Sequence, residues 1–334
     1  MTLTRSAPGA TGARERVGAG RAAAVLVLVA LAALIPLLGP SAALHGTGEA
    51  EAPGAGGIAL LRTVLFAALC IPVGEVFVNR LARSVPGAGA ASPGVPRSWS
   101  PGAAAAGFLA ALGLASVVAT GNLVPGGLSD IDVGGLYATR DGKLALLEVN
   151  AFLLAGLCAV SRRPATQLLP LAAVIVAEAL RAHPTTELSP LTGSGLTLVH
   201  LTCAALWVGG LLHALRVLRL RRDPAGAALL GRYARVAAVL LAAITATGVC
   251  SSLRRMPPGT ILEQLTATAY GRALLAKVLL VAVVAALALW ARRRLRRAAD
   301  PLTACAPARA EVVVLGLVVA ASGLLTALPV PIRW

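Results

Sequence analysis

One apolar stretch carries the residues with the clearest potential for chemistry. The run from residue 196 to 215 reads LTLVHLTCAALWVGGLLHAL. Four of its residues are spaced so that they lie along one face of a helix: His200, Cys203, Trp207 and Gly210. A histidine inside a membrane span is costly and usually faces a partner or a cavity. We therefore predict a binding role for His200; the alternative is that one neighbouring hydroxyl or carbonyl satisfies its ring.

This stretch and the rest of the chain have the composition of a membrane protein. About 20 apolar residues at ~1.5 Å rise per residue span the ~30 Å hydrocarbon core. Of the 334 residues, 57% are hydrophobic and 13% are charged, which is too apolar for a soluble domain of this size. We predict an all-α, polytopic transmembrane helical bundle of about 8–9 spans in the lipid bilayer. The first apolar run covers residues 22–38, and eight spans follow at 58–79, 102–122, 143–160, 165–182, 195–215, 233–253, 270–291 and 311–330.

The positive charge of the chain is distributed as in a membrane protein rather than a nucleic-acid-binding protein. The formal net charge is +16, but the arginines lie in short loops between apolar runs. The positive-inside rule then predicts a multi-pass plasma-membrane protein with its C-terminus outside. The predicted cytoplasmic loops are 80–97, 162–163, 216–235 and 292–309. No phosphate-binding loop, nucleophile elbow or HExxH motif occurs in the sequence, so we do not expect an enzyme.

An internal repeat predicts how the helices are organised. The segment Ala138 to Lys143 (ATRDGK) matches the segment Ala267 to Arg272 (ATAYGR). Four spans per unit would give two parallel four-helix repeats, related by an axis along the membrane normal. We assign residues 1–43 to a cytoplasmic N-terminus with a signal-anchor or signal-peptide helix, 44–185 to the first repeat and 186–334 to the second. The alternative is chance similarity between apolar helices that begin with a Thr–Gly turn.

The second half of the chain resembles the copper-resistance protein D family of bacterial membrane proteins. The residues that carry this resemblance are His200 to Leu212, Tyr233 to Arg235, Thr245 to Gly248, Tyr270 to Lys277, Glu311, Pro329 and Pro331. The chain departs from the family just before the central helix, where it has Arg-Ala-His183-Pro in place of a Ser-Gly-His-Ala-like segment. The resemblance implies handling of copper, Cu(I) or Cu(II), across the membrane. A periplasmic copper-binding protein is a candidate partner.

Five side chains of the types that bind copper fall near the outer surface on the predicted topology. They are His183, His200, Cys203, Cys250 and Met256. Imidazole binds copper in either oxidation state, whereas thiolate and thioether favour Cu(I). We predict an extracytoplasmic-side copper site from these residues. For the two cysteines and the methionine, plain packing is the alternative.

Several charged residues within the spans also need partners. A lone charge at such a depth costs ~2–4 kcal/mol. Arg62 is expected to bind an anionic group, to pair with Glu178 or to reach the interface. Glu148 and Lys277 occupy equivalent repeat positions, so an ion pair between them would join the halves. The alternative is that each reaches the interface or pairs with another residue, such as Arg62 or Glu178. Glu75 is expected to pair with Arg80, which is also toward the cytoplasmic end of its span.

Two other functions compete with copper transport. One is a membrane redox protein linked to haem or quinone, and the other is a non-transporting assembly factor for a copper enzyme. A bis-histidine haem needs two ligands, but His213 points about 140° away from His200 around the helix. No other predicted span contains a histidine. The sequence therefore favours copper handling over haem binding.

Overall fold

A computed structural model gives the fold of residues 27, 30, 32–50, 52–84, 96–121, 124–183, 189–220, 224–256, 258–297 and 305–330. Every regular element within these ranges is helical, which confirms the predicted all-α class. The helices are α1 Ala32–Leu44, α2 Ala55–Arg83, α3 Ser100–Ala119, α4 Val133–Ala138, α5 Arg140–Val160, α6 Leu168–Arg181, α7 Pro190–Leu220, α8 Pro224–Arg255, α9 Ile261–Ala267, α10 Ala269–Arg297 and α11 Cys305–Leu325. Short 3-10 helices cover Leu128–Asp130 and Pro164–Gln167.

Seven helices in the described part of the chain are long and apolar enough to cross a membrane. They are α2, α3, α5, α6 with the turn before it, α7, α8 and α10. The chain is thus a polytopic helical bundle, as predicted. The described parts of α1 and α11 form shorter apolar helices, Ala32–Leu44 and Ala310–Leu325. Residues 1–26 and Trp334 lie outside the described residues, so the nature of the first helix and the side of the C-terminus stay predictions.

Proline residues mark the starts of several helices. Pro101 is the second residue of α3, while Pro190 and Pro224 are the first residues of α7 and α8. Proline suits the first turn of a helix because its missing N–H would have no partner there and its φ is already helical. The apolar runs that follow contain no further proline in α7 or α8, so these helices continue for 31 and 32 residues.

Ion pairs between helix ends show which ends lie together. The first turns of α2 and the last turns of α6 meet where Arg62 binds Glu178, and Arg181 of α6 binds Glu148 of α5. We call this the Arg62 end of the bundle. At the other end, Glu75 near the end of α2 binds Arg216 near the end of α7. We call this the Glu75 end.

Helices α2 and α7 cross at a point where only glycine fits. A Cβ added to Gly74 would lie 2.0 Å from the carbonyl carbon of Gly209, and one added to Gly209 would lie 1.8 Å from the carbonyl oxygen of Cys70. Small residues allow membrane helices to approach closely, which strengthens their packing in lipid. Apolar side chains of α2 and α7 belong to both large core clusters of the bundle. This crossing is therefore the centre of the fold.

The two predicted repeats contain the same local structure at equivalent places. Thr139 precedes α5 and its hydroxyl accepts a hydrogen bond from the Gly142 N–H at 3.1 Å. Thr268 precedes α10 and accepts from the Gly271 N–H at 3.0 Å. Each threonine follows a short helix, α4 or α9. This match supports the internal repeat, and the division into 44–185 and 186–334 stays a prediction.

The repeats differ in how their second and third long helices pack. In the first unit α3 packs along α5, and Phe152 lies so close to Gly107 that an added Cβ there would be 2.3 Å from its ring. The corresponding helices of the second unit, α8 and α10, make no comparable contact along their described lengths. Val281 occupies the position equivalent to Phe152, by the offset that aligns Thr139 with Thr268. The second unit is consequently open where the first is filled.

The helix crossing leads to a stability prediction. Gly74→Ala should lower the free energy of unfolding by about 1–3 kcal/mol or more, because the new methyl group forces α2 and α7 apart. Gly57→Ala in the same helix is the matched control, since nothing lies within 4 Å of its added Cβ. Alanine there should be neutral or stabilising by up to about 1 kcal/mol. Unfolding titrations in mixed micelles measure both; equal stability of the two variants would contradict the close crossing.

Candidate functional site

A cavity of about 390 Å³ opens at the Arg62 end, between α2, α6, α7, α8, α10 and α11. It lies on the side of the bundle where α8 and α10 stand apart. Most of its lining side chains are apolar, and six carry a carboxylate, ammonium, guanidinium or imidazole group: Arg62, Glu178, Arg181, His200, Arg255 and Lys277. A largely apolar pocket with a few convergent polar groups is the usual form of a small-ligand site. It is therefore the candidate functional site of the part of the chain that the structure describes.

His200 lines this cavity with one ring nitrogen already fixed. Its Nδ1 lies 3.0 Å from Oγ1 of Thr247 on α8. The Thr247 hydroxyl donates its single proton to a backbone carbonyl one turn earlier, at 2.7 Å from Ala243 O or 3.1 Å from Ile244 O. With its proton on that carbonyl, Thr247 accepts from Nδ1–H, and this arrangement leaves the lone pair of His200 on Nε2. A hydrogen bond that fixes the tautomer in this way is typical of a histidine that binds a metal through its other nitrogen.

The other four predicted copper ligands do not line the cavity. His183 is buried, with Nε2 3.0 Å from Oγ1 of Thr197, and Met256 is buried in an apolar cluster. Cys203 packs at the edge of a core cluster, and Cys250 is exposed on α8. Among the residues that the structure describes, no group of three His, Cys, Asp or Glu side chains is placed to hold a metal ion. The five-residue copper site stays a prediction, and His200 is its member at the cavity.

The charged residues of the first half form a chain of ion pairs at the cavity edge. Glu178 binds both Arg62 and Arg181, the latter at 3.4 Å. Arg181 also binds Glu148 at 3.0 Å. The predicted pairing of Arg62 with Glu178 is thus confirmed. The predicted pairing of Glu148 with Lys277 is wrong. Helix α5 packs against α6 and not against α10, so Arg181 of α6 binds Glu148 instead.

The opposite wall of the cavity carries two cations without a carboxylate. Arg255 donates from Nη1 to the Tyr270 hydroxyl at 3.0 Å, and its guanidinium lies 5.8 Å from the centre of that ring. Lys277, about two turns after Tyr270 on α10, also lines the cavity. Neither residue forms an ion pair with any carboxylate in the described ranges. The cavity therefore has a surplus of positive charge on its α8–α10 side.

The helices of this wall also carry the similarity to known proteins. Residues 227–325 match the family model of copper resistance protein D. The match confirms the predicted resemblance over these residues, which comprise nearly all of α8, then α9, α10 and α11. His200 precedes the matched range and contacts it through Thr247. No curated protein and no solved structure matches the chain.

The central helix α7, which precedes the copper resistance protein D segment, is anchored at its far end by a second polar cluster. Arg216 of α7 donates to Oε1 of Glu75 at 2.8 Å, and its guanidinium lies 3.7 Å from the ring centre of Trp99. The prediction that Glu75 pairs with Arg80 is wrong. Arg216, near the end of α7, reaches both Glu75 on α2 and Trp99 just before α3. The cluster has no place in the predicted copper site. Its role is to hold three helix ends together.

The same glutamate closes the start of α3. Glu75 accepts from the Trp99 N–H at 2.8 Å and from the Ser100 hydroxyl at 2.7 Å. A carboxylate at a helix N-terminus is favourable because it satisfies free N–H groups and complements the helix dipole. In the sequence, α3 begins at Ser100-Pro101 and has no acidic residue in its first turn. This lack of a local cap is the only sequence signal for a carboxylate supplied by another helix.

His213 belongs to this end and not to the cavity. Its Nε2 lies 3.0 Å from Oδ1 of Asn79, and its Nδ1 lies 3.8 Å from Oε1 of Glu75. It is buried between α2 and α7. His200 and His213 therefore lie in separate polar clusters at opposite ends of α7.

The ion-pair chain leads to a second prediction, tested by double-mutant cycles. Glu148→Gln and Arg181→Gln should be coupled by about 1–3 kcal/mol in the free energy of unfolding, since the two side chains are in contact. Glu148→Gln and Lys277→Gln should instead be additive within ~0.5 kcal/mol. Unfolding in mixed micelles gives all the required free energies. A larger coupling for Lys277 than for Arg181 would show that the described pairing is wrong.

Proposed function

We propose that this protein moves copper across the plasma membrane, or passes it to a partner, through the cavity beside His200. It is a multi-pass membrane protein whose segment 227–325 matches copper resistance protein D, and this match supports a role in copper resistance. The observation that carries the finer proposal is the position of His200 in the cavity lining with its Nδ1 beside Thr247. Its Nε2 is available at a cavity walled by the matched helices, while Thr247 of the matched segment holds Nδ1.

Copper is the cargo in this proposal, and His200 binds it only for part of its path. A transport site has to bind its ion well enough for entry but weakly enough for release. One fixed imidazole in a cavity with several cationic side chains meets the second condition. Further ligands would come from nearby candidates such as Cys203 or His183 after a side-chain movement, or from a copper-binding partner.

The third prediction concerns His200. His200→Ala should weaken copper binding to the purified protein by more than tenfold and change the copper content of cells. Thr247→Val should weaken copper binding by about 10–100-fold, because the residue that orients the His200 ring is lost. Copper binding is measured by competition with a chromophoric chelator, and cell copper by mass spectrometry.

His45→Ala is the matched control for this prediction. His45 is exposed in the loop after α1, at the same end of the bundle as the cavity but outside its lining. It should bind copper as the wild type does. Normal copper binding and cell copper in His200→Ala at equal membrane levels would refute the proposed site. Loss of binding with unchanged total cell copper would favour an assembly factor over a transporter.

The fourth prediction places the cavity on the outer side of the membrane. Basic residues of the described chain near the Glu75 end, such as Arg216, Arg219 and Arg232, support a cytoplasmic location for that end. In a cysteine-free background, Leu220→Cys should react with an impermeant maleimide only after the cells are opened, and Ala50→Cys should react in intact cells. Both positions are exposed. The reverse pattern would place the cavity on the cytoplasmic side.

A further inference from the structure

We propose that the cavity binds an organic anion, namely a carboxylate or phosphate group on an apolar body, with the anionic group at Lys277 and Arg255. The inference goes beyond copper handling and does not depend on it. It rests on the charges of the lining, the donors beside them and the shape of the space between α8 and α10.

The charges of the lining leave two cations uncompensated. Glu178 is the single carboxylate among the described lining residues, and it already binds Arg62 and Arg181. Lys277 and Arg255 remain without a carboxylate partner in the described ranges. A cation within a membrane span is costly unless a counter-charge or a wet cavity compensates it. An anion in the cavity would supply that counter-charge.

Neutral donors stand beside these cations. The Tyr270 hydroxyl accepts from Arg255, so its own proton is available to donate to a bound anion. That hydrogen bond also holds the guanidinium at the cavity. Charge-assisted hydrogen bonds from arginine, lysine and an O–H donor are the usual means by which proteins bind carboxylates and phosphates.

The remainder of the cavity fits an apolar body. Its volume of about 390 Å³ is far larger than a simple inorganic anion requires and falls in the usual range for small-molecule sites. Beyond the cations it is lined by apolar side chains such as Phe66, Val208, Val281 and Leu315. In the first repeat α3 and α5 pack together with Phe152 against Gly107, whereas in the second α8 and α10 stay apart and Val281, at the aligned position, lines the cavity. A ligand with a charged head and an apolar body uses both parts.

The test measures dodecanoate binding to the purified full-length protein in a neutral maltoside detergent with EDTA present. Dodecanoate should raise the unfolding temperature of the wild type in a saturable manner, and acetate or inorganic phosphate should not do so at the same concentrations. Lys277→Met should weaken dodecanoate binding by about tenfold or more, which corresponds to ~1.4 kcal/mol. Lys143→Met is the matched control, since Lys143 is exposed at the start of α5, outside the cavity, and it should bind as the wild type does.

A second variant tests the apolar part without changing any charge. Val281→Phe places in the second repeat the side chain that fills the first one, so the protein should fold and should lose saturable dodecanoate binding. Arg255→Gln gives an independent test of the anionic part if Lys277→Met does not fold. Wild-type affinity in Lys277→Met, Arg255→Gln or Val281→Phe would overturn the proposal, as would equal stabilisation by acetate or inorganic phosphate.

The source of the anion is tested with lipids. Nanodiscs of phosphatidylglycerol and of phosphatidylcholine are compared, each with the wild type and with Lys277→Met. Stabilisation by phosphatidylglycerol that Lys277→Met abolishes would identify a lipid phosphate as the bound group. Stabilisation by dodecanoate alone would identify a free carboxylate. Because copper is chelated throughout, failure of the copper proposal leaves these results unaffected, and failure here leaves the His200 experiment unaffected.

Discussion

The pairing of buried charges is the constraint on which the arrangement of this bundle depends. Glu75, Glu148 and Glu178 are all buried among apolar helices, and each binds an arginine from another part of the chain. An unpaired carboxylate there would cost several kcal/mol, so these contacts fix which helix ends lie together. Glu178 and Arg181 tie α6 to α2 and α5, while Glu75 and Arg216 tie α2 to α7. Helices α8 and α10, which stand apart from each other, form no such pair within the described ranges.

The close crossing of α2 and α7 adds a second constraint, on shape rather than charge. Gly74 and Gly209 bring the two backbones together, so the helices on either side are packed at a fixed distance from a rigid centre. On one side α3 and α5 close on each other through Gly107 and Phe152. On the other side, α8 and α10 stay apart, and Val281 lines the cavity between them. The contact between the second and third long helices, made in one unit and not in the other, thus marks the place where the fold departs from its internal symmetry.

Periodicity and composition predicted what depends on a single helix, and little of what depends on contact between helices. Residue types and local spacing predicted seven spans that the structure contains, the Thr139 and Thr268 turns, and a histidine, His200, that lines a cavity. The partners of Glu75 and Glu148 lie on other helices, so spacing alone favoured Arg80 and Lys277 over Arg216 and Arg181. Convergence of Cys203, Cys250 and Met256 with His200 could not be judged for the same reason, since neighbouring faces along a chain need not meet in a bundle.

The two proposals for the cavity support each other through electrostatics. A bare copper ion that reaches His200 is repelled by the nearby ammonium and guanidinium groups, because like charges in a medium of low polarity interact strongly. Glu178 cannot offset this repulsion, since two arginines already bind it. An anion held at Lys277 and Arg255 would lower the positive potential next to Nε2 of His200 and bring oxygen ligands of its own. On this argument, copper and an organic anion occupy the cavity more favourably together than copper does alone.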